Sequence, residues 1–357
     1  MSATPEEAIA SAIQGLFRAT PLLLIGSGFS CGYGLPGMAE LGGHLASAVD
    51  TRISSVEAHA LWDGALPAIK VNLEDGLNTI PSGAPGRQEV VAAIREETAR
   101  LIISRTHSAE SEILASRDPH LAAPARLLRR LYNGAPQNAE CIPVITTNYD
   151  TLIELFSDLA EVPIDTGFTG LRRRRARSNP IFQTQYRRSL ASNKQRTSYE
   201  HRPCVNVRLM KPHGSITWQS CDGEPIEVLN DVSDAPRAIV VPGPSKYEDA
   251  LINSLFDGMR GEMNAAVGRA AALLCVGFGF NDEHLQGVIR NRLEAGMPAA
   301  IITRDFTPNI REVIKRHRHV LAIQRSSGGA EAHFDGRTVT VAEPVWELDT
   351  FLKQYLE

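Results

Sequence analysis

Residues 21–38, PLLLIGSGFSCGYGLPGM, decide the fold class. Leu22, Leu23, Leu24 and Ile25 form a short run that is apolar at every position, as expected of a strand covered on both faces by helices. The run breaks into Gly26, Gly28, Gly32 and Gly34 within nine residues. Glycines at the carboxyl end of a buried strand let main-chain N–H groups come close to a phosphate, helped by the amino terminus of the next helix. Residues 38–49 (MAELGGHLASAV) supply that helix, so the stretch reads as the strand–loop–helix opening of a nucleotide-binding α/β unit.

The same pattern recurs outward from this unit. Short apolar runs at 141–150, 205–216, 238–243, 272–280 and 298–305 alternate with helical spacing at 151–160, 246–268, 282–295 and 308–318. Alternation of this kind predicts an α/β fold with a doubly wound parallel, Rossmann-like sheet. Helical spacing also marks 5–19 and 345–356, whereas 56–132 loses strand character altogether. The expected organisation is a single domain over 1–357. Its core comprises 18–50, 138–165 and 203–325, with an inserted helical lobe at 51–135, a basic loop at 170–203 and a C-terminal segment at 326–357.

Composition bounds what such a chain can do. In 357 residues, 37 Lys and Arg against 41 Asp and Glu give a net charge of −4, and hydrophobic residues make up 43%. These values exclude a disordered, collagenous or rod-like chain. The net charge argues against nucleic acid as the main substrate, leaving an indirect contact or one through the basic loop. There, Arg172, Arg173, Arg174, Arg175 and Arg177 crowd into six positions. Such a cluster serves either as a phosphate or polyanion contact or as a solvated loop facing a partner. No run approaches the ~20 apolar residues of a membrane span, and the acidic N-terminal stretch lacks the bases of a signal peptide, so a cytoplasmic location is expected. Five scattered cysteines with no Cys-x-x-Cys pair write neither a disulfide framework nor a four-thiolate zinc site.

Three polar constellations follow predicted strands. Gly26-Ser27-Gly28-Phe29-Ser30 departs from a full G-x-G-x-x-G fingerprint at Cys31, and the spacing for an acidic ribose partner selects Asp50. A P-loop is excluded, since no Gly-Lys-Ser/Thr follows the glycines. Thr146-Thr147-Asn148-Tyr149-Asp150 lies at a carboxyl strand edge, where ligands of such folds bind, although Asp150 could equally cap the helix that follows. Lys211-Pro212-His213-Gly214-Ser215 sets a histidine at a further strand end, a placement that serves structure as readily as catalysis.

Taken together and in this order, the constellations resemble the sirtuin superfamily. Gly26-Ser27-Gly28-Phe29-Ser30 with Gly34-Leu35-Pro36 is similar to its glycine loop, Thr146 to Asp150 to its T-x-N-x-D motif, and His213-Gly214 to its H-G pair. Gly277-Phe278-Gly279-Phe280, followed by Asn281-Asp282, looks like the late loop that meets the adenosine side of NAD in sirtuins. Two departures matter. The cysteine pairs of the deacylase zinc lobe are missing, so no metal is expected, and Gly37-Met38-Ala39 replaces the acidic and arginine residues that often follow the first loop. The wording more closely resembles the zinc-less, sirtuin-like NADases of bacterial antiphage defence.

That resemblance implies an NAD glycohydrolase that splits NAD, its substrate, into nicotinamide and ADP-ribose and depletes it in abortive infection. Asn148 would orient a water or the ribose hydroxyls, His213 would be the general base, and Asp150 would fix the ribose side. Gly26, Ser27, Gly28 and Ser30 would hold the pyrophosphate, with Thr147 as a further contact, while Gly277, Gly279 and Asp282 would meet the adenosine end. The resemblance also implies a homo-oligomer and a regulatory partner, either a HerA-type ATPase or an argonaute-type protein. The alternatives are a protein deacylase or ADP-ribosyltransferase, or a non-catalytic nucleotide sensor acting on a partner.

Overall fold

The computed structural model describes residues 4–136, 139–177, 185–193, 196–229, 231–232, 235–240 and 253–357. In chain order the amino-terminal part contains α1 (Pro5–Arg18), β1 (Leu22–Ile25), α2 (Ser27–Cys31), α3 (Met38–Ala48), α4 (Val56–Ile69), α5 (Leu73–Asn78), α6 (Arg87–Ala115) and α7 (Ala123–Gly134). The middle contains β2 (Cys141–Thr146), α8 (Leu152–Leu159), β3 (Ile164–Asp165), β4 (Phe168–Thr169), β5 (Arg173–Ala176), β6 (Gln185–Asn193), β7 (Arg196–Cys204), β8 (Asn206–Met210), β9 (Gly214–Cys221), β10 (Glu224–Val228) and β11 (Arg237–Ile239). The rest comprises α9 (Asn253–Arg269), β12 (Leu273–Val276), α10 (Glu283–Glu294), β13 (Ala299–Ile302), α11 (Pro308–Arg316), β14 (Leu321–Ser326), β15 (Gly329–Phe334), β16 (Arg337–Val341) and α12 (Leu348–Tyr355).

The main sheet has nine strands in the order β16-β15-β14-β13-β12-β1-β2-β8-β3. From β14 through β1 to β3 its neighbours run parallel, and β15 and β16 add an antiparallel hairpin at one edge. Alternate side chains of the central strands enter two separate cores. Leu23, Ile25, Val144 and Leu274 pack with α1, α7, α8 and α12 on one face. Leu22, Leu24, Ile145 and Leu273 pack with α9, α10 and α11 on the other. This period-two division of uniformly apolar strands is why both faces need helices, and it bears out the doubly wound expectation.

β1 lies between β12 and β2, and the chain leaves it toward one side while later returning on the other. This is a topological switch point, and the loops after β1 and β12 meet there. Gly28 N donates to Gly277 O at 2.9 Å. A Cβ on Gly26 would lie 2.5 Å from that same oxygen, and one on Gly277, whose φ is +63°, would lie 2.1 Å from Phe29 N. The glycines are therefore required by the contact between the two loops. The first loop also winds immediately into α2, with Gly26 as its N-cap.

The helical lobe has its own core, in which Leu41 and Leu45 of α3 join Trp62, Ile69, Leu77, Val90 and Ile94. Its longest element, α6, has 29 residues and a length of roughly 43 Å. Val90 and Ile94 sit in the lobe, while Ile102 and Ala109 enter the main core, so this one helix ties the lobe to the sheet.

Two expectations need correction. The basic stretch is not a plain loop: Arg173–Ala176 forms β5, and Gln185–Asn193 pairs with Arg196–Cys204 in a two-stranded hairpin. β5 belongs to a five-stranded antiparallel sheet, β11-β9-β10-β5-β4, absent from the sequence reading. The arginines are tolerated there because Arg174 pairs with Glu227 and Arg177 with Asp165 at 2.8 Å. Asp50, the spacing-selected ribose partner, lies in the exposed turn after α3, with Oδ1 2.9 Å from His59 Nδ1. The expected strand end at 241–243 and the start of the helix expected from 246 lie outside the described residues.

Candidate active site

A cavity of about 330 Å³ opens at the switch point. Ser27, Gly28, Ser30, Thr147, Asn148, Asp150, His213, Gly277, Gly279 and Asp282 all line it. Gly26 does not, but its carbonyl is a partner of the Asn148 amide. The arrangement follows from the topology: β1, β2, β8 and β12 point their carboxyl ends toward one crevice, and each is followed by a polar turn.

The centre of the site is a chain of hydrogen bonds. Asn148 Nδ2 donates to Gly26 O at 2.9 Å and to Ser30 Oγ at 2.7 Å, and Ser30 Oγ donates onward to Asp150 Oδ2 at 2.7 Å. Asp150 Oδ1 accepts from Leu152 N at 3.1 Å, so the carboxylate also supports the first turn of α8. Both readings of Asp150 therefore have a place, since it lines the cavity and stabilises a helix start. The amide hydrogens of Asn148 are both used by protein, which leaves Oδ1 as its acceptor for a ligand.

Beneath this chain, Lys211 is 1% exposed and pairs with Glu154 at 2.9 Å. Its Nζ also donates to Asp150 O. Burial pushes the Glu154 carboxyl above its ordinary range, and the Lys211 charge partly opposes that rise. Cys31, at the end of α2, has its thiol raised by burial, with Arg304 acting in the opposite direction.

His213 sits in a tight turn between β8 and β9. Val240 N donates to its carbonyl at 2.8 Å, and Gly214 follows at φ +88°, where a Cβ would lie 2.2 Å from Ala238 O. The imidazole Nε2 lies 2.7 Å from Asp282 Oδ2. This nitrogen is buried, and its N–H axis points off the carboxylate oxygen, so the two atoms are in close contact without an aligned hydrogen bond. Asp282, expected at the adenosine end, is thus brought against the histidine.

Some lining residues have no counterpart in the sequence reading. Thr303 and Thr307 follow β13, and the strand-end rule that selected Asn148 would have found them. Glu74 of α5, in the lobe, and Ile102 of α6, where that helix enters the main core, are marked by no local motif. Leu35, Pro36, Met38, Leu41 and Ile102 give the cavity an apolar wall opposite the polar turns.

The model of the SIR2-like domain matches residues 143–323, half of the chain. The chain belongs to the SIR2-like domain family. The matched stretch of this SIR2-like protein runs from β2 to β14 and holds Asn148, His213 and the Gly277 loop; the geometry adds Gly26 to Ser30 of β1 and α2 to the same crevice. Membership points to NAD-related activity in general terms. No curated protein matches the sequence. Among the described residues no group of three or more His, Cys, Asp or Glu is placed to hold a metal ion, and no helix is long and apolar enough to cross a membrane.

Proposed function

We propose that this site hydrolyses NAD to nicotinamide and ADP-ribose. The observation that carries the reading is the locked amide of Asn148: its Nδ2 is spent on Gly26 O and Ser30 Oγ, which leaves Oδ1 to accept from a donor such as a water or a ribose hydroxyl. His213 lines the same cavity as a second, titratable group. A pure nucleotide-binding site has no need of a proton acceptor beside an oriented hydroxyl.

The chemistry asks little more of the protein. Breaking the bond between the ribose C1′ and the nicotinamide nitrogen sends its electron pair to that nitrogen, which loses its positive charge and leaves without an acid. Positive charge then develops on the ribose, and the site gains rate by favouring that state over bound NAD. Water held at Asn148 Oδ1 forms the new C1′–O bond, and its proton passes to His213 and then to solvent. The apolar wall at Leu35, Pro36 and Ile102 suits the released ring, while the main chain at Ser27 suits the pyrophosphate, the N–H groups of Gly28 and Gly277 being engaged by Gly277 O and Ile302 O. Thr147, Gly279 and the threonines after β13 are assigned to ribose and adenosine contacts.

The setting we infer, from the resemblance of GSGFS, TTNYD, HGSI and GFGFND to antiphage proteins, is NAD depletion in infected cells. Control would then lie in homo-oligomer assembly or in a HerA-type or argonaute-type partner, with the protein in the cytoplasm. The test of the activity is product balance: purified protein with NAD and no acceptor should release nicotinamide and ADP-ribose in equal amounts. Nicotinamide without ADP-ribose would indicate transfer to another acceptor.

A further inference from the structure

The late loop places a carboxylate where the sirtuin resemblance does not ask for one. We propose that Asp282 is the positioning residue of His213, fixing which ring nitrogen faces the substrate, and is not an adenosine contact. This rests on the proposed hydrolase reading for its kinetic part alone.

Three features hold Asp282 in place. It begins α10: its carbonyl accepts from Gln286 N at 3.1 Å, and its Oδ1 lies 3.4 Å from Leu285 N. Just before it, buried Phe280 adopts φ +55°, a conformation costly for a bulky side chain, and its carbonyl accepts from Gln286 Nε2. The Phe278 and Phe280 rings pack edge to face, with centroids 5.0 Å apart. The turn is thus over-determined by packing and hydrogen bonds, and its product is an Oδ2 placed 2.7 Å from His213 Nε2.

The consequence follows from the two ring nitrogens. With Nε2 turned to Asp282 and buried, Nδ1 is the nitrogen left to take a proton from water. A carboxylate at Nε2 holds the proton there in the neutral ring and stabilises the imidazolium once Nδ1 is protonated.

Asp282→Asn separates the roles, because asparagine caps helices about as well as aspartate and keeps the shape of the side chain. Nitrogen NMR of ¹⁵N-labelled protein, with the His213 signal assigned from His213→Gln, should show the Nε2–H tautomer in the wild type and a mixture in Asp282→Asn. The same variant should lower kcat by roughly 10²-fold, within the range of general-base effects, while KM for NAD stays within about 3-fold. An Nδ1–H tautomer, or a tautomer indifferent to Asp282→Asn, would overturn the proposal, as would a raised KM with intact kcat. If wild-type protein fails to turn over NAD, the hydrolase reading falls, and the tautomer still decides the pairing.

Discussion

The side-chain amide of Asn148 and the hydroxyl of Ser30 are joined at 2.7 Å, with the amide as donor. The bond links the loop after β2 to the loop after β1, and it leaves Ser30 free to donate to Asp150. One hydroxyl therefore fixes both the orientation of the Asn148 amide and one carboxylate oxygen.

Ser30→Ala should leave the fold intact and leave the Asn148 amide held by Gly26 O alone. Catalysis should fall by about 10-fold, and by at least ~10²-fold in Asn148→Ala, because positioning contributes part of what the positioned group supplies. Steady-state kinetics on both variants checks the order; a Ser30→Ala enzyme as damaged as Asn148→Ala would give Ser30 a direct role.

Gly277→Ala should destabilise the protein by more than about 2 kcal/mol, since its new Cβ would meet Phe29 N in a left-handed backbone position. Gly287→Ala, with open space around it on α10, should be neutral or slightly stabilising. Urea titration of the two variants measures the difference.

Lys211→Met removes the partner of a buried carboxylate and should cost about 3 kcal/mol. Adding Glu154→Gln should restore part of the loss, because the amide no longer has to be charged. A double variant as unstable as Lys211→Met would show that the contact with Asp150 O, and not the ion pair, is the larger contribution.

In the lobe, the Ser55 and Ser54 hydroxyls hold the Glu89 carboxyl down to about 2. A depressed carboxylate stabilises the folded state fully above its unfolded value near 4.5 and loses that contribution as the pH falls toward 2. Glu89→Gln should therefore lower Tm at pH 6 and narrow the gap to wild type as the pH drops through this window. An unchanged gap down to pH 2.5 would contradict the assignment.

Charge reversal in the basic stretch has two distinct expectations. Arg174→Glu should destabilise the antiparallel sheet by leaving Glu227 with a like charge. Arg173→Glu and Arg175→Glu, on the exposed side of β5, should spare the fold and weaken any oligomer or partner contact made there. Thermal melts and solution mass separate the two.

Much of the fold was legible because β1, β2, β12 and β13 are apolar at nearly every position, which only a two-sided sheet explains. The strand-end motifs likewise led to the cavity. The antiparallel sheet was missed although its turn was written plainly: Asp222-Gly223, at φ +53° and +79°, joins β9 to β10, and Asp335-Gly336 repeats the device between β15 and β16. Asp-Gly between short runs is a strong two-residue hairpin signal. The run of arginines around β5 hid a strand in which Arg174 pairs with Glu227, a residue distant in sequence, and just past which Arg177 pairs with Asp165. The contact of Asp282 with His213 was not legible for a similar reason, since no local pattern shows which loop a carboxylate will face across the sheet.

The most direct test of the central claim is a time course of NAD, nicotinamide and ADP-ribose with wild-type protein, Asn148→Ala and His213→Ala, beside NAD binding by calorimetry. The account predicts equal rise of both products with wild type, loss of turnover in both variants and retained binding in His213→Ala. Turnover that survives in Asn148→Ala, or a wild type that binds NAD and never cleaves it, would contradict the account.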